Sequence, residues 1–237
     1  QVHLPVMQLL WGVNLRCWGH GASTQPAIRV ALGPSVAERL SAAELFKEPI
    51  HCLPVGLDPE ELPTPLPQPR PQQVVVLACY NPGLGLAVQD QLRRNGLSCR
   101  SELSPWPLHR WLQELSHATA VVVLAPPQDQ PTLGLRRLAA MALQTPLVCD
   151  PHPSDKGLIR DGSNALIRPA EAAALAEAVV AILERNNLRR TLVDGGLATM
   201  VRHRRARERY QFTQLLDDYQ NLWHEAKTCH YGNLSPP

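Results

Sequence analysis

Gly83 and Gly85 stand in the stretch Tyr80-Asn81-Pro82-Gly83-Leu84-Gly85, between an apolar run and a helical pattern. Glycines at such a junction leave backbone N–H groups open to a phosphate. A proline with two glycines also makes an ordinary turn, so both readings stand. Gln128, Asp129, Gln130 and Thr132 precede a helical pattern and follow the most strand-like segment of the chain. Their polar groups, with the backbone N–H groups from Thr132 to Gly134, are placed to meet a ligand at a strand's carboxyl end. The alternative is a solvated loop with an Asx turn. Arg136 and Arg137 follow at the start of that helix, either to pair with a diphosphate or as an exposed basic face. Asp150, His152 and Asp155 are metal-ligand types, but Pro151 and Pro153 interrupt them and no fourth ligand is near, so no metal is expected. Arg202-His203-Arg204-Arg205-Ala206-Arg207 is a basic run closed by Glu208. It suits an anionic lipid or diphosphate, or a solvated face.

These residues need elements to hold them. Ile28 to Leu32 reads as a strand, followed by a helix with Ser35 as N-cap and Glu38 as its capping-box partner. Pro49 to Leu53 is a second strand. Six prolines between Pro59 and Pro71 mark a linker or extended crossing. Beyond it, strands at Gln73–Tyr80, Leu97–Leu103, Ala118–Ala125, Pro146–Cys149 and Ala165–Ile167 alternate with helices at Leu84–Asn95, Pro107–His117, Leu133–Gln144 and from Ala172 onward. Continuous apolar strand runs belong to strands buried on both faces. Strand–helix alternation with short connections predicts a doubly wound, Rossmann-like parallel sheet, an α/β fold that binds ligands at the carboxyl ends of its strands. Phe212, Leu215, Leu216, Tyr219, Leu222 and Trp223 form a helical stripe near the end.

The composition fits this plan. Of 237 residues, 44% are apolar and 19% charged, which is globular rather than disordered. A net charge of +2 is too small to imply nucleic acid as a partner. No apolar run approaches the roughly 20 residues of a membrane-spanning helix. The six cysteines lack C-x-x-C spacing and several lie in apolar runs, as buried thiols in a reducing compartment do. A cytoplasmic protein is expected, free or peripheral to a membrane. The chain begins at Gln1, as a fragment or processed product would.

Three segments in series resemble the large retaining family of B-type glycosyltransferases that use nucleotide-diphosphate sugars. Ala31 to Asp58, ending in Pro54-Val55-Gly56-Leu57-Asp58, is similar to the close of the family's N-terminal domain, with Val55 where asparagine is usual. Leu138-Ala139-Ala140-Met141-Ala142-Leu143-Gln144-Thr145-Pro146-Leu147-Val148 resembles L-E-A-M-A-x-G-x-P-V-V. Leu158 to Ile167, with Asp161-Gly162-Ser163-Asn164, resembles I-x-D-G-x-N-G-L-L-V. The resemblance implies the C-terminal, donor-binding half of such an enzyme. It divides the chain into a remnant of the acceptor-side domain over 1–58, a linker over 59–72, the donor domain over 73–204, a helix over 205–227 packing back on the N-terminal part, and a tail over 228–237. It also implies that the acceptor-binding half is largely absent from this chain.

The same resemblance implies a mechanism, and the sequence departs from it. The family places two glutamates in E-x7-E spacing for the donor sugar and its ribose; aligned on Met141, these positions are Pro131 and Ala139. The arginine and lysine expected after the first strand of the domain are replaced by the Tyr80–Gly85 loop, while the family's glycine survives as Gly134. Asp129 or Gln130 is the candidate substitute acceptor. His20, in the N-terminal part, is a further candidate by analogy. No catalytic residue is assigned and no cofactor is expected. The function implied is transfer of a sugar from a nucleotide-diphosphate donor to a carbohydrate acceptor. The alternative is a catalytically inactive module of the same fold that supports a protein partner or a missing N-terminal domain.

Overall fold

Valine-rich runs pair into two parallel sheets. The computed structural model describes residues 6–10, 27–32, 37–38, 41–42, 50–53, 56–65, 73–126 and 131–231. The smaller sheet holds β1 (Val6–Leu10), β2 (Ala27–Leu32) and β3 (Ile50–Leu53), in that order. Residues 37–38 and 41–42 are helical. The strand β1 was not expected from the sequence: its five residues mix Gln8 with apolar neighbours and give neither clean alternation nor a long apolar run.

The larger sheet is built from β4 (Gln73–Leu77), β5 (Ser98–Glu102), β6 (Ala120–Val123), β7 (Leu147–Cys149) and β8 (Leu166–Ile167). Its order is β5-β4-β6-β7-β8, all parallel. The chain runs outward from β4 to β5, then returns to the far side of β4 with β6. The β4/β6 boundary is therefore the switch point at which such sheets open a crevice.

Successive side chains on these strands face opposite layers. Val75, Leu77, Val121, Val123 and Leu147 pack against α2 (Leu108–His117) and α3 (Pro131–Ala142) through Trp111, Leu112, Leu115, Leu138 and Met141. Val74, Val76, Ala120, Val122 and Val148 pack against α1 (Pro82–Arg94) and α4 (Ala172–Glu184) through Val88, Leu92, Leu175, Val179 and Ile182. Helix α4 has no side-chain N-cap bond, a loss of about 1 kcal/mol. Each of its three large buried side chains contributes about 1.5–3 kcal/mol, so packing decides that this helix forms.

Two long helices close the described chain. α5 (Asn186–Arg202) was not anticipated: only Leu192, Gly196, Thr199 and Met200 are buried on it, too sparse a stripe to read as a helical period. α6 (Arg205–Tyr231) follows, and its Leu215 packs with Val30 of β2 and Leu53 of β3, flanked by Phe212 and Tyr219.

Candidate functional site

The carboxyl ends of β4, β6 and β7 enclose a cleft of ≈ 430 Å³ lined by Tyr80, Asn81, Ala125, Pro126, Asp150, Pro151 and His152. It lies at the switch point. In-register pairing of β4 with β6 and of β6 with β7 ends these strands together, so the three following loops meet. Asp150 is 7% exposed, and its Oδ1 accepts the Ala125 N–H at 2.8 Å, tying the loop after β7 to the loop after β6. Among the described residues, no group of three histidine, cysteine or carboxylate side chains is placed to hold a metal.

Asn81 caps α1, its side chain accepting the Leu84 N–H at 3.3 Å. Pro82 opens the helix, where its missing N–H costs nothing. Gly83 and Gly85 therefore sit inside the first turn of α1, not in a loop before it. A Cβ on Gly85 would come 2.3 Å from the Ala78 Cβ, whereas one on Gly83 would meet nothing within 4 Å. Gly85 lets helix and strand approach; Gly83 is exposed at the helix start.

Thr132 and Gly134 lie in the first turn of α3, and Gly134 is half-buried. Gln128, Asp129, Gln130 and His20 lie outside the described residues. The two arginines do not form the exposed basic face that was one of the two sequence-based readings. Pro131 begins α3, so Arg136 and Arg137 occupy its second turn and point inward, at 8% and 0% exposure. The Arg136 guanidinium forms a two-pronged pair with Glu102, Nη1 to Oε2 and Nη2 to Oε1, the latter at 3.0 Å. Glu102, at the carboxyl end of β5, is fully buried and also accepts the Trp106 N–H at 2.9 Å. Burial by itself would lower the Arg136 pKa; the hydrogen bonds and charge of Glu102 hold it above its ordinary value. Its guanidinium carbon lies 5.3 Å from the Tyr80 ring centre, a cation–π contact beneath the cleft wall.

Arg137 pairs with Asp155 and donates to the Asp150 backbone carbonyl at 3.2 Å. Burial pushes its pKa down. Asp155 Oδ2 accepts the His152 N–H at 2.9 Å, which fixes the loop after β7. Asp150 and Asp155 are thus acceptors for a buried arginine and for backbone N–H groups, that of His152 included. Nearby, burial raises the Cys149 thiol to about 11 and raises the half-buried Cys79 as well. Glu102 went unread in the sequence. A carboxylate at the end of a strand, in a sheet whose next apolar helix carries arginines, is the signal that finds it.

The Asp161–Asn164 turn serves the scaffold. Asn164 accepts the Arg160 N–H at 2.7 Å and donates to Leu158 O at 2.8 Å and Thr199 Oγ1 at 2.9 Å. Gly162 takes φ +69°, a backbone state that favours glycine. Two arginines of the basic run are partnered within the molecule, Arg204 with Glu60 and Arg205 with Glu61, as is Arg209, one turn on, with Asp58.

No protein-family model matches the chain, and no curated protein does. Solved structures do match. HepE from Anabaena, in complex with UDP and glucose, superposes with a TM-score of 0.67 over 90% of this chain and 71% of its own, at 14% identity. Sucrose-phosphate synthase from Thermosynechococcus elongatus gives 0.60 over 80% of this chain, at 17% identity; the chain spans 58% of that protein. AviGT4, a glycosyltransferase of avilamycin A biosynthesis, gives 0.54 over 93% and 74%, at 13% identity. Among the described residues no helix is long and apolar enough to cross a membrane. With the parallel sheet, its order and these likenesses together, the chain has the α/β fold of the B-type glycosyltransferases: the Rossmann-like C-terminal half with part of the N-terminal domain.

Proposed function

We propose that this chain is a non-catalytic module of B-type glycosyltransferase fold that binds or assembles with a partner. One observation carries the reading: Arg136 and Arg137, the two cations closest to the cleft in the sequence-based scheme, are each neutralised by a buried carboxylate. A departing nucleotide diphosphate needs preorganised positive charge. Here that charge is locked in the scaffold, and removing either carboxylate would leave an unpaired buried cation. Ala139, at the position aligned with the family's second glutamate, is 1% exposed and sealed in the apolar core, with no side-chain oxygen to accept from a hydroxyl.

A donor-using glycosyltransferase is the second reading, favoured by the cleft at the switch point and by the likeness to HepE, which was solved with UDP and glucose. In that reading Gly83, Thr132 and Gly134 offer backbone N–H groups, the Gly85 N–H being taken by the Asn81 carbonyl, and Asp129 or Gln130 stands in for the missing glutamate. Isothermal calorimetry with UDP, GDP and ADP separates the two. The expected result is no heat of binding up to about millimolar ligand. Saturable binding of any of the three at about 100 μM or tighter overturns the non-catalytic reading, and release of free nucleotide from its sugar conjugate would then establish the other.

A further inference from the structure

Resting on the partner-binding part of that reading, we infer that the open edge of β5 is the docking site. Its occupant is an extended segment of a protein partner, apolar and acidic at alternate positions, added to the sheet as a further strand. The larger sheet has two edges, β5 and β8, and they are finished differently. β8 is two residues long. Its outward Ile167 N–H donates to Asp161 Oδ1 at 2.8 Å, and the Ala165 C=O beside it accepts the Gly162 N–H at 2.9 Å, so the Asp161–Asn164 turn closes that edge. Among the described residues, β5 has no such closure. Glu102 C=O accepts the Ala78 N–H at 3.0 Å, which directs the backbone groups of Ser98, Arg100 and Glu102 toward β4 and those of Cys99 and Ser101 outward. The outward N–H and C=O groups have no hydrogen-bond partner among the described residues. Such an edge is a template for another strand.

The side chains around the edge define what that strand carries. On the α1 side Cys99 and Leu103 pack on the apolar layer, and Leu103 abuts Gly85. Leu86, the next residue of α1, is 47% exposed. On the α2 side stand two guanidiniums. Arg100 is largely exposed and paired with Glu114, and Arg110 lies 4.6 Å from the Trp106 ring centre. Side chains of an added strand alternate between these two sides. Apolar groups then meet Leu86 and Leu103, and carboxylates meet Arg100 and Arg110. A second copy of this chain does not fit. The antiparallel register that sets Cys99 of one copy against Ser101 of the other uses every open group. It also sets Arg100 directly opposite Arg100, and like charges so placed destabilise the pairing.

The test is amide-resolved NMR titration of the full chain with a short peptide alternating valine and glutamate. Beside it run the same peptide with lysine for glutamate, a copy with an N-methylated backbone, and UDP. The glutamate peptide is expected to bind at about 100 μM or tighter, shifting the β5 resonances with saturation. Hydrogen exchange of the Cys99 and Ser101 amides is expected to slow roughly tenfold in the complex. The lysine and N-methylated peptides are expected not to bind. Ser101→Pro removes an outward N–H, which an edge strand tolerates, and is expected to abolish binding. Arg100→Gln is expected to weaken binding roughly tenfold at an unchanged melting temperature. Should Ser101→Pro not fold, the N-methylated peptide decides the backbone pairing. No binding of the glutamate peptide, or equal binding of its N-methylated copy, overturns the inference; if UDP does not bind either, the non-catalytic reading stands without it. Binding of UDP overturns that reading, and the peptide result still decides the edge. A dimer in sedimentation equilibrium with the Cys99 and Ser101 amides protected overturns the inference in favour of a second copy.

Discussion

The Arg136–Glu102 pair links the stability of the scaffold to the chemistry of the cleft. A guanidinium 8% exposed above a fully buried carboxylate is stable only as a unit. Replacing Glu102 alone with leucine strands the cation, and a loss of about 3–5 kcal/mol is expected in urea unfolding. The double variant Glu102→Leu with Arg136→Met is expected to recover most of it, because apolar groups of similar volume often replace a buried pair without cost. A residue of about 1–3 kcal/mol should remain, since the Trp106 N–H loses its acceptor. A loss below about 1 kcal/mol for Glu102→Leu would mean that Arg136 is not held by this pair and is available to an anion, which would undercut the proposed function. At this scale the sequence was only half legible. Residue types at 128–137 suggested a ligand loop, but whether an arginine faces water or a carboxylate depends on Glu102, 34 positions away, and no local pattern carries that.

Gly195 and Gly83 show how helices are set on the sheet and what glycine contributes there. Both lie within helices, where alanine is normally favoured by roughly 0.5–1 kcal/mol. On Gly195 a Cβ would stand 2.1 Å from the Ser163 carbonyl oxygen, so α5 rests directly on the backbone of the Asp161–Asn164 turn. Gly195→Ala is therefore expected to destabilise by about 1–3 kcal/mol despite its better propensity. Gly83→Ala, with open space around the added carbon, is expected to leave stability unchanged or raise it by up to about 1 kcal/mol. Thermal unfolding of both variants checks the contrast, and equal shifts in one direction would refute the close-approach account of α5. Elements were the most legible scale. β4, β6 and β7 are continuous valine- and leucine-rich runs, and α4 has strict helical spacing, so burial on two faces or one is written into them. β1 and α5 were missed because their partners are distant surfaces: a parallel neighbour for one, the Asn164 turn for the other.

The two sheets are joined by more than a linker. Gly56 N–H donates to Glu208 Oε2 at 2.9 Å and Leu57 N–H to His203 O at 2.9 Å, so the segment after β3 lies against the start of α6. A Cβ on Gly56 would come 2.7 Å from Glu208 Oε2 and 2.8 Å from Arg205 Cα, so only glycine permits that approach. Around it, Asp58, Glu60 and Glu61 face Arg209, Arg204 and Arg205, and Lys156 reaches Glu38 at 2.6 Å. Arg204 and Arg205 of the basic run thus find their anions in their own chain. Each pair is at least partly exposed and contributes only about 0.2–1 kcal/mol, yet together they act on a junction whose apolar contact includes the small cluster of Val30, Leu53 and Leu215. The angle between the sheets should therefore depend on salt. Raising ionic strength from about 0.1 M to about 1 M shortens the screening length from about 10 Å to about 3 Å, and small-angle scattering is expected to show a larger radius of gyration. Glu61→Arg or Arg205→Glu should produce the same expansion at low salt, and the exchanged double variant should reverse it. Reversal of the surface pair Arg190–Asp194, which lies within α5, should change nothing. If the single reversals leave the radius unaltered at low salt, the junction is held by the apolar cluster and the two backbone bonds alone, and the charges around it are surface decoration.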